Sequence, residues 1–224
     1  MEEASSVLFY IGPLAVTSRV TSMWAIILVL TVLSVLATRN MKEVPGKLQN
    51  VAEMAVSKLR DYFNGTLGEE LCGKYFSVFA TFFVFIIVSN YSGLLPGMGH
   101  LNGMSVPTAG LGVTAGLAVC GFITNHTIGV KERGFGKYFL GLLTSMTVPL
   151  FFLAVIEQVV RPFSLALRLY GNLYGEEMVT ENLYAVFPVL MPLIMQVLSL
   201  LFCLIQALVF TMLLSIYVKE AVEE

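Results

Sequence analysis

Apolar residues fall in long blocks along this chain, and the polar residues either separate the blocks or run through them in narrow lines. The first block, TSMWAIILVLTVLSVLAT, predicts a membrane span at 21–38, near the ~20 residues that cross a hydrocarbon core. Arg39, Lys42 and Lys47 follow it. From Tyr75 to Val130 there is no Asp, Glu, Lys or Arg. That stretch predicts two more spans, 75–96 and 109–130, joined by PGMGHLNGMSVPT, which carries no Lys or Arg. Lys131, Arg133 and Lys137 come after the third span. Basic loops face the cytoplasm, so residues 1–20 are expected outside.

A different periodicity runs between the first two spans. In LQNVAEMAVSKLRDYFNG, Val51, Met54, Ala55, Leu59, Tyr62 and Phe63 recur at helical spacing, with Glu53, Ser57, Lys58, Arg60 and Asp61 largely elsewhere. Pro45 precedes the pattern and Asn64-Gly65 is read as its end. An amphipathic helix at 45–65 along the cytoplasmic surface is expected, with a docking face for a partner subunit as the functional alternative.

The C-terminal half contains two overlong apolar stretches, 138–181 and 183–218, the second without a charge. As a helix the second would be ~54 Å long, against a core of ~30 Å. Each is either two helices or one long, tilted helix. Pro149, Pro162, Pro188 and Pro192 are candidate kinks or breaks. The lack of Gly or Pro between Leu193 and Val218 favours one long helix there.

Composition agrees with the blocks. Of 224 residues, 57% are hydrophobic and 12% charged, about half the charge of a soluble domain. The chain reads as an all-α polytopic membrane protein of about five membrane helices plus one surface helix. A net charge of −2 speaks against nucleic acid as a partner. The start, MEEASSVLFY, lacks the basic region of a cleaved signal, so insertion through the first span is expected. Cys72, Cys120 and Cys203 are odd in number and far apart, and read as small buried hydrophobes. His100 and His126 are too distant for a metal site, and GVKERGFGK lacks the ending of a phosphate loop. No metal or cofactor is expected.

Charge inside the greasy blocks is the informative exception. On a helix Glu157, Arg161, Ser164, Arg168 and Asn172 form one line, and so do Gln196, Ser199, Cys203 and Gln206. Lipid-facing polar seams are costly, so the two are expected to face one another or a shared aqueous cavity. The segment after Lys137 runs from inside to outside. Glu157 is then ~16 Å inward of Arg168 and Glu177 ~14 Å outward. An acid towards each surface with a fixed cation between suggests two polar half-paths separated by a positive barrier. Arg161, one turn from Glu157, has the spacing of a helical salt bridge. Glu176, Glu177 and Glu181 have the alternative reading of a solvated helix end, and Gln206 that of an interhelical hydrogen bond.

At these residues the chain resembles a known family. IEQVVRPFSLALRLYGNLYGEE, followed by FCLIQALVFTMLLSIYV, is similar to subunit a of F-type ATP synthases, the membrane stator beside the rotating c-ring. Support elsewhere comes from VPGKLQN at 44–50, NYSGLLPG at 90–97 and VPTAGLGVT at 106–114. The resemblance implies that Arg168 faces the ionisable carboxylate of each c-subunit. It implies that Asn172, Glu177, Ser199 and Gln206 line the ion route and that Glu157 is the acid of the inner half-channel. It also implies that the last two helices are long and wrap the ring, giving five spans with the 219–224 tail inside. Glu176 stands where many members have Gly, which adds an acid beside Glu177. Gly110 and Gly112 stand where members commonly carry Asp and Asn, and Ser199 lies near a position that is His in some. The implied partners are the c-ring, the peripheral-stalk b-subunits near the surface helix, the F1 sector indirectly, and lipid. The chain alone is not expected to be an enzyme, and a bacterial plasma membrane is the expected location. A Na⁺-moving form of the same subunit, and a secondary antiporter or channel, are the alternatives. No internal repeat of the kind many transporters carry is evident.

Overall fold

The structure, a computed structural model, describes residues 7–11, 14–39, 46–94, 106–136, 138, 148–186 and 190–223. Lys42, Pro45, His100, Lys137 and Pro188, and the first part of the 138–181 stretch apart from Tyr138, lie outside the described residues. The molecule is a helical polytopic membrane protein. A short antiparallel hairpin, β1 (Val7–Ile11) and β2 (Leu14–Thr17), precedes the first helix and pairs Phe9 with Val16 and Ile11 with Leu14. The sequence reading did not foresee it.

Helix α1 (Ser18–Thr38) is apolar almost throughout. Its hydroxyls turn back on its own carbonyls: Ser22 donates to Ser18 O at 3.0 Å, Thr31 to Ile27 O at 2.8 Å and Thr38 to Ser34 O at 2.9 Å. No hydroxyl among these three faces hydrocarbon unpaired. Only Ser18, Ser22 and Ile26 are buried. The last two turns are exposed on all sides, so α1 is held near its N-terminal end and stands clear at the other. Between it and the next helices lies an apolar groove of about 1410 Å³, lined by Ile27, Leu30, Val78, Phe85 and Val113 among others.

The amphipathic segment forms α2 (Lys47–Leu67). It runs past Asn64-Gly65, where the sequence pattern was read to end, and stops at Gly68. There φ is +83° and ψ 161°, a region open essentially to glycine alone. The Gly68 N–H donates to Asn64 O at 3.0 Å, and the next residue starts α3 (Glu69–Ser92). One residue thus makes the corner from surface helix to membrane helix. The C-terminal half of α2 is tucked in: Phe63 and Leu67 are buried with Cys72 and Phe79 of α3. The N-terminal half exposes Val51, Met54 and Val56.

A 3-10 turn, Pro107–Ala109, leads into α4 (Leu111–Arg133), which ends at Gly134 with φ +81°. Lys131 and Arg133 in its last turn oppose the helix dipole. The end of α4 is fastened to the start of α3: Lys74 pairs with Glu132 at 3.0 Å and Glu70 at 3.1 Å, and the Tyr75 hydroxyl donates to Glu132 at 2.8 Å.

The two overlong stretches form two continuous helices, α5 (Val148–Val186) and α6 (Leu190–Glu223). At 39 and 34 residues they extend ~58 and ~51 Å. Pro162 lies inside α5 without ending it. Helices α3, α4, α5 and α6 pack together, with α2 against α3 and α6. One buried cluster joins Phe63, Phe79, Ile128, Leu214 and Val218, and another joins Ile86, Leu165, Leu169, Ala207 and Phe210. Tyr62 donates across to Leu208 O of α6 at 3.1 Å, and burial pushes its phenol pKa above the ordinary value. Among the described residues, four helices are long and apolar enough to cross a membrane: α1, α3, α4 and residues 194–223 of α6. Helix α5 has the length, but its apolar run is broken by Glu157, Arg161, Arg168, Glu176 and Glu177.

Candidate functional site

The polar seams of α5 and α6 face one another as rungs of an antiparallel pair. Asn172 Nδ2 donates to Gln206 Oε1 at 2.5 Å, and Ser199 neighbours Glu176 one turn further along α5. Ser199, Cys203 and Gln206 are all buried. Gln196, on the same seam, instead reaches Leu94 O in the turn after α3 at 3.2 Å. Glu177 sits on α5 beside Glu176, and its side chain and that of Glu181 lie outside those described. Of the two adjacent acids, Glu176 is the one with a described partner.

Arg168 is the charged seam residue without a partner among the described side chains. It is exposed, near the middle of α5, ~30 Å from one end and ~27 Å from the other. It has no hydrogen bond or ion pair among the described residues. The surface around it is apolar, with Phe163 and Leu167 exposed on the preceding turns. Gly171 and Gly175 follow, and a Cβ on either would meet nothing within 4 Å. An uncompensated guanidinium on such a face costs at least ~2.5 kcal/mol in hydrocarbon. It is sustainable where a partner carboxylate or water meets it.

Seven residues before it on α5, Arg161 has three partners. Its Nη2 bonds Glu157 Oε1 at 2.6 Å, pairs with Glu220 Oε2 of α6 at 2.9 Å, and its guanidinium lies 4.8 Å from the centre of the Tyr217 ring. The helical salt bridge read from spacing is present, and α6 doubles it. Glu220 and Tyr217 had no mark in the sequence, since their part depends on the register of the two helices.

At the other end of the bundle a polar group escaped the sequence reading. Asn90 is 1% exposed and Thr108 fully buried. Both polar atoms of Asn90, with the hydroxyls of Ser89 and Thr108, have no hydrogen-bond partner among the described residues. Tyr91, next to Asn90, donates to Leu200 O of α6 at 3.2 Å, which ties this end of α3 to α6 next to Ser199. Buried unpaired amides are rare unless water serves them. The only prior signal was that NYSGLLPG and VPTAGLGVT contain these residues.

Comparison with known proteins bears on the same segments. A family model described as ATP synthase A chain matches residues 20–219. The chain belongs to the ATP synthase A chain family. Among relatives in this subunit a family, ATP synthase subunit a 3 of Pelobacter propionicus is 40% identical over 213 residues, covering 94% of this chain and 90% of the relative. ATP synthase subunit a of Geotalea uraniireducens is 41% identical over 204 residues, and that of Geobacter sulfurreducens 38%; each alignment covers 90% of this chain and 86% of the relative. The family and the helices together make this a multi-pass membrane subunit of an ATP synthase, engaged in ATP synthesis and ion transport.

Proposed function

We propose that this chain is the ion-translocating stator of an F-type ATP synthase and that Arg168 meets the carboxylates of a rotating c-ring. The observation that carries the reading is Arg168 itself: a permanent cation, exposed at the midpoint of a membrane helix, with no acid partner among the described residues. A c-subunit carboxylate is an occupant that suits it. As a protonated carboxyl arrives, the guanidinium favours its ionised form, so the proton leaves towards one surface. The same charge repels a proton moving directly between the two sides. Ions then cross by riding the ring, and the ring turns.

On this reading the outer half-path runs by Asn90, Thr108, Ser199 and Glu176, with Glu177 beside it and the Asn172–Gln206 rung at its inner limit. Glu157 marks the inner half-path. Orientation follows from charge: Arg39, Lys58, Arg60, Lys131, Arg133 and Lys219 belong to the ends that would face the cytoplasm, giving five crossings with the N-terminus outside. A bacterial plasma membrane suits the bacterial relatives. The exposed apolar positions of α2 suit a peripheral-stalk b-subunit. The transported ion is read as the proton; a Na⁺-moving form is distinguished by pumping that requires Na⁺.

Proximity to the ring is tested by crosslinking in assembled complex. With the native cysteines replaced, Gly171→Cys is paired with a cysteine one turn from the c-subunit carboxylate. Oxidation is expected to give an a–c product, and Val119→Cys on α4 none. Absence of the Gly171 product, or equal yield from Val119, sinks the reading.

A further inference from the structure

Between α4, α5 and α6, inward of Arg168, three buried polar atoms have no hydrogen-bond partner among the described residues: Asn125 Oδ1, Gln158 Oε1 and Arg161 Nε. Asn125 is only 4% exposed. All three residues line one small cavity of about 10 Å³, walled also by Phe122, Leu165 and Leu214. Pro162 lines the same cavity. Having no N–H, it leaves the Gln158 main-chain carbonyl without its helical donor on that side of α5.

Each orphaned buried group costs ~1–3 kcal/mol, so several around one cavity point to a ligand. A cation is excluded by the guanidinium. An anion has no call on Arg161, whose charge is already met by Glu157 and Glu220. The volume is that of a single water, which needs roughly 10–15 Å³ and two to four polar partners. We propose that Asn125, Gln158 and Arg161 form a binding site for one ordered water that joins α4 to α5 at the inner end of the bundle. The water accepts from Arg161 Nε–H and donates its two hydrogens to Asn125 Oδ1 and Gln158 Oε1. The site stands apart from the polar rungs and does not depend on which ion is transported.

The test is a cryo-EM map of the intact complex in lipid nanodiscs, at a resolution where other waters of the membrane sector are visible. A peak within about 2.6–3.2 Å of Arg161 Nε and of both amide side chains is expected. In Asn125→Leu, of similar volume but without the acceptor, the peak is expected to vanish while the Arg161–Glu220 pair remains. An empty cavity in the wild-type map overturns the proposal. So does a direct bond from Arg161 Nε to Asn125 or Gln158.

Discussion

The polar residues of α5 and α6 divide by what each can do without. Asn172 donates to Gln206 across the helix pair, and Glu176 neighbours Ser199, whereas Arg168 has no partner among the described residues. Removing a rung is therefore expected to weaken a channel wall, not to abolish coupling. For Gln206→Leu, loss of one hydrogen bond of ~1 kcal/mol predicts ATP-driven pumping lowered by roughly fivefold or less, read by vesicle acidification in assembled complex. Glu176→Gln is expected to lower pumping more than Ser199→Ala, since the carboxylate is the group able to exchange a proton and the hydroxyl only supports it. Equal effects of the two would assign Glu176 a packing role. The seams were legible in the sequence because helical periodicity alone puts Glu157, Arg168 and Asn172 in one line. The partners Tyr217 and Glu220, and the buried Asn90–Thr108 group, were not, because they meet only through the register between helices distant in sequence.

At the scale of elements, two glycines of α2 separate local pattern from folded geometry. Asn64-Gly65 looks like a helix stop, but the chain stays helical there and a Cβ at Gly65 would meet nothing within 4 Å. The stop is Gly68, because only glycine holds its backbone angles at low cost. Gly68→Ala is expected to destabilise the subunit by about 1–3 kcal/mol, lowering its level in membranes several-fold. Gly65→Ala is expected to leave that level unchanged or raise it, by up to ~1 kcal/mol of helix propensity. Quantitative blotting of membranes separates the outcomes, and the opposite order would place the corner at Gly65. The Arg161 clamp between α5 and α6 gives a second prediction. Arg161→Gln, which releases both acids and the Tyr217 ring, is expected to reduce assembled complex more than Glu220→Gln, which releases one contact. Equal losses would mean that Glu220 carries the clamp.

Over the whole molecule, α3, α4, α5 and α6 pack together with α2 against α3 and α6, and α1 is held near its N-terminal end. Phe79, Phe210 and Leu214 are buried between the helices, while Arg168 stays on the outside near the middle of α5. This arrangement suits a stator, whose working residue must remain reachable by a partner that slides past. Hydropathy made the apolar helices legible and periodicity the surface helix. It left open whether the last two stretches were two long helices or four short ones, since Pro162 would fit a break as well as a tolerated kink. The central claim is that Arg168 couples ion flow to rotation. The most direct measurement is ATP-driven acidification of inverted membrane vesicles carrying Arg168→Ala against wild type, with assembly verified by co-purification. The account predicts an assembled complex that hydrolyses ATP and does not pump. Pumping at near wild-type rates would contradict it.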